Sequence, residues 1–347
     1  MPQSPPINAV VVGFGVSGRQ FHCYLIGLVP ELNLYGVISR RPEADPGIEK
    51  LGARRFPRLE EALADERVDL VVLATPNDLH APQALAALAA GKHVVTDKPM
   101  ALDTGEAQSM IAAAGRSGRL LTCFQNRRWD GDFLTVRKAL AEGAVGELVS
   151  LETSWNDPRK PRTWRSEAAR GGGRWIDLGS HLVDQALLLA GAPVERVYAQ
   201  FRSGVHDNDV EDHAICLLTF ANGVLAQVTT SSVARVPKRR WFLAGTSGTL
   251  IQRGFDPQEE AMKAGDIDAA RPSPRDGARL FRDCGGETRQ TAVEPVPGRW
   301  RSYYENVAAA LLGREEPAVT CESVCEVVRV LEAAAESAAR GEAVTLS

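Results

Sequence analysis

The sequence predicts an α/β Rossmann domain followed by an α+β domain with a large open, mostly antiparallel sheet. Three observations predict it. An apolar run enters Gly13-x-Gly15-x-x-Gly18, strand-like and helix-like segments then alternate as far as residue 125, and the texture changes after about residue 126. The predicted domains are therefore 1–125 and 126–347, a division that a chain of 347 residues favours.

Each element of the first domain has a local cause. Residues 7–12 form an apolar strand, and the helix after the glycines carries Phe21, Leu25 and Leu28 at helical spacing. A second strand covers 34–39, a helix lies near 59–65, and the strand at 68–74 ends at Thr75-Pro76. An Ala- and Leu-rich helix over 79–90 stops at Gly91. The next strand runs to Lys98, where Pro99 disfavours helical dihedrals and holds the lysine at the carboxyl end of the strand. A helix over 104–117 and a strand over 120–124 complete the domain.

In the second domain, 148–155, 194–202, 213–220, 223–232 and 240–245 alternate partly and are joined by turns such as Ala221-Asn222-Gly223. They read as antiparallel strands with one face exposed. Residues 255–300, polar and rich in Pro and Gly, are expected to form long loops, and 302–340 to be helical.

Composition narrows the function classes. A formal net charge of −4 gives no reason to expect nucleic acid or a membrane as the main partner. No apolar run is long enough to span a bilayer, and the start, Met1-Pro2-Gln3-Ser4-Pro5-Pro6, lacks the regions of a signal peptide and reads as a frayed tail. Six scattered cysteines with no CxxC pair fit reduced thiols, hence a cytoplasmic location.

The glycine pattern gains meaning from its place between strand and helix. Gly13 permits the tight turn, Gly15 lets the backbone approach a pyrophosphate, and Gly18 allows close helix–strand packing, with the helix N-terminus favouring the anion. At the end of the second strand an NAD site usually has an acid. This chain has Ser39-Arg40-Arg41 instead, which suits a 2′-phosphate and favours NADP, with use of NAD left open.

Two further groups carry chemistry. Lys98 at the sheet edge places a cation where ligands of open α/β sheets bind, although an isolated Lys-Pro is often only a solvated lysine. Gly171-Gly172-Gly173-Arg174-Trp175-Ile176-Asp177 opens an amphipathic helix that ends at Gly191 and sets Asp177 and His181 four apart on one face, with Asp184 three further on. Histidine beside carboxylates suits general acid–base work near neutral pH. No third metal ligand stands out, so no metal is expected, and the acidic run Asp207, Asp209, Glu211, Asp212 with His213 reads as a solvated turn.

The order Gly13/Gly15/Gly18, Thr75-Pro76 with His80, Asp97-Lys98-Pro99 and Asp177-x-x-x-His181 resembles the glucose–fructose oxidoreductase/inositol dehydrogenase (Gfo/Idh/MocA) family over nearly the whole chain. Residues 125–133 and the segment from Tyr303-Tyr304 onward are most similar to its NADP-dependent scyllo-inositol dehydrogenase branch. One departure is Asp97, where the family usually has glutamate.

The resemblance implies hydride exchange between a nicotinamide and a secondary alcohol of a cyclitol or sugar. His181 is then the general base, Lys98 stabilises the oxygen, and Asp177 orients substrate or catalytic groups. The implied cofactor set is Gly13, Phe14, Gly15, Val16, Ser17, Gly18, Ser39, Arg40, Arg41, Thr75, Pro76, Asn77, His80, Asp97 and Lys98. Arg127, Trp129 and Arg174 are candidates for the substrate pocket, with structural pairing to neighbouring acids as the alternative. The exposed sheet face and the resemblance both point to a homodimer or homotetramer. Two other readings stay open: a cofactor-binding sensor without turnover, and a dehydrogenase of another sugar or a non-carbohydrate carbonyl.

Overall fold

Six short strands with buried, largely aliphatic centres lie side by side in the computed structural model, which describes residues 5–39, 46–273 and 275–346. They are β1 (Ile7–Val12), β2 (Leu32–Ile38), β3 (Arg54–Phe56), β4 (Leu70–Leu73), β5 (His93–Thr96) and β6 (Leu121–Cys123). All pairings are parallel, in the order β3-β2-β1-β4-β5-β6. Val10, Val11, Val71, Val72, Val94 and Val95 are fully buried, as strands covered on both faces require. The order reverses at β1, which has β2 on one side and β4 on the other. Ligands of such sheets bind outside the carboxyl ends at that reversal.

The chain divides into two units, 1–125 with 300–328, and 126–299 with 329–347. The first break falls where the texture of the sequence changes. Residues 300–328, expected in the second domain, instead join the first unit. There Tyr303 and Tyr304 pack on Phe124 (ring centroids 5.0 and 5.9 Å apart), and the Thr122 hydroxyl donates to the Val319 carbonyl at 2.8 Å. The expected continuous helix over 302–340 is two helices, Arg301–Leu311 and Cys321–Arg340, with Gly313 in the left-handed region (φ 66°) in the connection.

The second unit is built on nine strands: β7 (Leu148–Asn156), β8 (Val194–Ser203), β9 (Glu211–Phe220), β10 (Leu225–Ser231), β11 (Trp241–Gly245), β12 (Gly248–Gln252), β13 (Arg279–Asp283), β14 (Thr288–Ala292) and β15 (Val344–Thr345). Their order is β14-β13-β12-β11-β7-β10-β9-β8-β15, antiparallel except for β7 with β10. The expectation of loops over 255–300 is corrected by the β13–β14 hairpin and a helix at Gln258–Lys263. β14 is exposed along its whole length, so no apolar alternation marks it.

Behind this sheet, buried Arg240 ties three elements together. Its guanidinium donates to Asp132 (2.9 Å), to the Thr153 hydroxyl (2.7 Å) and to the Gln185 side chain. The other face carries Tyr198, Leu217 and Leu225, which the register sets on one side and which are 36%, 44% and 52% exposed. Among the described residues no helix is long and apolar enough to cross a membrane.

Candidate active site

In the first unit the glycine loop leaves β1 at the reversal point. Gly13 has φ +100°, and a side chain there would meet the Ala74 carbonyl at 2.6 Å, so only glycine makes this turn against the end of β4. A Cβ on Gly15, by contrast, would meet nothing within 4 Å. The loop enters a π-helical turn, Ser17–Cys23, continued by Tyr24–Ile26. Gly18 packs against the Gly13 carbonyl. This is the space and the amide-bearing helix start that a phosphate needs.

Behind the loop lies a buried polar chain that sequence reasoning missed. The Ser17 hydroxyl donates to Asp97 Oδ2, the Lys98 backbone N–H donates to Asp97 Oδ1 at 2.7 Å, and His22 Nε2 lies 3.6 Å from Asp97 Oδ2. The other ring nitrogen of His22, Nδ1, is 2.6 Å from the Tyr304 hydroxyl. Burial by itself raises a carboxyl pKa. Here the His22 ring, the Lys98 charge and the Ser17 hydroxyl outweigh it and hold Asp97 well below the usual carboxylate range. A fixed negative charge therefore sits directly behind Lys98. The Lys98–Pro99 peptide is cis.

His80 is fully buried, with Nδ1 2.8 Å from the Pro99 carbonyl and Nε2 3.1 Å from the Thr75 carbonyl. Burial keeps its pKa below that of ordinary histidine despite Asp97 and the two carbonyls. It is a strut between the turn after β4 and the turn after β5. Thr75 Oγ1 donates to Gln83 at 2.8 Å, and Asn77 is buried.

At the end of β2, Ser39 is buried, and its carbonyl accepts from Arg55 Nη2 at 3.2 Å. Arg55 thus brings a cation from β3 to this edge, a contribution only the strand pairing reveals. Arg40 and Arg41 lie outside the described residues.

In the second unit, Gly171–Gly173 lead into a second π-helical turn, Trp175–Gly179, which continues as the helix Ser180–Ala190. Asp177 sits in the first turn and His181 just beyond it, buried. The His181 ring lies 6.2 Å from that of Trp155, nearly parallel at 28°. Trp155 in turn carries the Arg127 guanidinium 4.3 Å from its ring centroid and Phe255 at 5.0 Å. The sequence signal for Trp155 was an aromatic residue near the carboxyl end of β7, and it went unused.

The remaining candidates are strongly paired. Arg174 reaches Asp157 (3.3 Å), Asp177 (3.5 Å) and the Arg159 carbonyl, and Arg165 lies 3.7 Å from Asp177. Arg127 pairs with Asp130 (3.3 Å) and Glu259 (2.7 Å). The Trp129 carbonyl accepts from the Arg299 N–H at 2.9 Å. Asp184 is bound by Arg128 through contacts of 2.6–3.2 Å, so it braces the helix. Glu211 accepts from the Trp175 N–H, and burial, aided by neighbouring Asp212 against the amides of Trp175 and Arg174, pushes it up to about 7. Within the acidic run, then, Glu211 fixes the start of the helix that carries Asp177 and His181.

Comparison with known proteins decides the family. Residues 7–125 match the model of an oxidoreductase family with an NAD-binding Rossmann fold, and 133–251 match the GFO/IDH/MocA C-terminal domain. The chain belongs to the GFO/IDH/MocA family. It is 35% identical to the uncharacterized oxidoreductase YdgJ of Escherichia coli over 96% of this chain and 97% of that one. To the scyllo-inositol 2-dehydrogenase (NADP(+)) IolW of Bacillus subtilis it is 30% identical, over 95% and 93% respectively. The solved structure of yvaA from Bacillus subtilis superposes with a TM-score of 0.93 at 29% identity over the whole of both chains. Membership in this family makes the protein an NAD(P)-binding oxidoreductase, and the glycine loop with open space at Gly15 fits the dinucleotide the family binds.

Proposed function

We propose that this protein is an NADP-dependent dehydrogenase acting on a secondary alcohol of a cyclitol or sugar. The observation that carries the reading is Lys98 at the carboxyl end of β5 with the ionised Asp97 fixed behind it. Support for the substrate class comes from the names of relatives, IolW above all. Support for NADP comes from Ser39-Arg40-Arg41, where an NAD site carries an acid, and from Arg55 beside Ser39.

A nicotinamide dinucleotide held by Gly13–Gly18, Thr75 and Asn77 supplies the hydride acceptor. His181 takes the hydroxyl proton as general base, which typically contributes about 10²–10⁴-fold. The Lys98 ammonium stabilises the negative charge that develops on the same oxygen as the carbonyl forms. Asp177, gripped by Arg174 and Arg165, orients the substrate and the histidine.

The test is absorbance at 340 nm across a panel of inositols and aldoses, each with NADP+ and NAD+. Turnover with a cyclitol is expected, with His181→Ala and Lys98→Ala each losing about 10²-fold or more in kcat while NADP+ still binds. Full activity in either variant removes the assignment.

The same reading includes a second copy of the chain on the open sheet face at Tyr198, Leu217 and Leu225. Light scattering should give a dimer or tetramer that Leu217→Glu with Leu225→Glu dissociates. A wild-type monomer at micromolar concentration contradicts it.

A further inference from the structure

Two polar side chains at the carboxyl edge of the parallel sheet are unused by the networks above. Gln125 lies two residues beyond β6 and is 1% exposed, yet neither its Nε2 nor its Oε1 has a hydrogen-bond partner among the described residues. Thr96, the last residue of β5, is fully buried, and its hydroxyl also has no hydrogen-bond partner among the described residues. The backbone brings the two to one edge. Thr96 pairs with Cys123 in the β5–β6 ladder, and the Phe124 N–H donates to the Thr96 carbonyl at 2.8 Å. Lys98 follows Thr96 by two residues.

Buried polar groups are nearly always paired, because an unpaired one forfeits its bonds to water and gains nothing in return. An apolar side chain of Gln125's shape would avoid that cost. A glutamine placed at the edge where parallel sheets bind ligands is explained by a ligand that supplies both missing partners. A phosphate offers only acceptors and an ammonium only donors, so each answers half of a primary amide. A second carboxamide answers both halves at once.

We propose that Gln125 binds the carboxamide of the nicotinamide ring, donating from Nε2 to its oxygen and accepting at Oε1 from its NH2. The assignment rests on the reading of the protein as a nicotinamide-dinucleotide enzyme. It adds a binding residue that neither the glycine loop nor the Lys98 and His181 groups supply, and it fixes which face of the ring is presented.

The experiment measures dissociation constants for NADP+ and for its 3-acetylpyridine analogue, in which a methyl ketone replaces the carboxamide. Wild-type protein should bind NADP+ about tenfold more tightly than the analogue, the worth of one well-placed hydrogen bond. Gln125→Met should bind the two alike, with NADP+ weakened about tenfold. Without dinucleotide, its melting temperature should equal or exceed that of wild type, since the orphan amide is gone. Equal wild-type affinity for NADP+ and the analogue overturns the assignment, whether or not the variant folds. So does unchanged NADP+ affinity in Gln125→Met, including the case where only the KM for the polyol rises. Those results leave the dehydrogenase reading standing, whereas a wild-type protein that binds no dinucleotide removes both.

Discussion

Two glycine loops, one in each unit, enter helices in the same way and serve opposite ends. Each leads into a π-helical turn, Ser17–Cys23 in the first unit and Trp175–Gly179 in the second. Each turn is met by a carboxylate, Asp97 at the Ser17 hydroxyl and Glu211 at the Trp175 amide. The loops differ in what surrounds them. A Cβ on Gly15 would meet nothing within 4 Å, whereas one on Gly172 would strike the Arg165 carbonyl at 2.6 Å and one on Gly173 the Glu211 carboxylate at 2.5 Å. The carboxylates differ in company. Asp97 has the His22 ring and the Lys98 charge and is held ionised, while Glu211 has amides and Asp212 and is pushed up to about 7. The first loop is shaped around a ligand and backed by a permanent charge. The second is packed by its own chain and holds side chains in place.

The largest test of this contrast is Asp97→Asn. Removing the charge leaves the Ser17 hydroxyl and the Lys98 N–H facing a neutral amide, and losing a hydrogen bond to a charged group typically costs about 1.5–3 kcal/mol. Because the folded-state pKa of Asp97 is depressed, its contribution is complete above the unfolded carboxylate value of about 4 and is lost as pH falls below it. The variant should therefore melt several degrees lower at pH 7, and its deficit should shrink toward pH 2. A deficit that stays constant with pH would show that the charge is incidental.

Alanine at the two loop glycines should separate the roles directly. Gly173→Ala forces a side chain into φ +103° against Glu211 and should cost about 1–3 kcal/mol of stability. Gly15→Ala should leave the melting temperature within a degree of wild type and weaken NADP+ binding severalfold, because its methyl group enters only the space the dinucleotide approaches. Equal melting temperatures for the two variants would erase the distinction.

Much of the first loop was legible because its parts are local: Gly13, Gly15 and Gly18 lie within one turn, and Lys98 adjoins the Pro99 that stops its strand. The groups that complete it were not legible. His22 and Tyr304 are 282 residues apart, and nothing in the sequence pairs them until residues 300–328 are seen to join the first unit. Arg55 reaches Ser39 only through the β2–β3 register. In the second unit the Asp177–His181 spacing was legible as helix periodicity. Glu211 was lost among neighbouring acids, and the β13–β14 hairpin was lost because neither face of β14 is buried. Periodicity reports burial against a core, so an exposed strand and a long-range ion pair leave little trace in it.

The smallest effect tests the second loop on its own terms. Glu211 is raised by burial, so in the folded state it keeps its proton to about pH 7, while in the unfolded chain it releases it near pH 4.3. Between those values the folded state binds the extra proton, and stability from this group falls as pH rises, becoming flat above 7. Glu211→Gln keeps an acceptor for the Trp175 N–H but has no charge to gain. Its melting temperature should match wild type near pH 4, lose the decline across pH 4.3–7, and equal or exceed wild type at pH 8. A positioning role adds a second signature. Trp175 lies two residues before Asp177 and opens the helix that presents His181, so ionisation of Glu211 loosens or shifts that entry. In wild type, kcat should therefore carry an inflection near pH 7 beyond that of the base itself. Glu211→Gln should remove it and Glu211→Ala should lower kcat at every pH. If Glu211→Gln retains both the stability slope and the inflection, the carboxylate only fills space, and the two loops differ in packing alone.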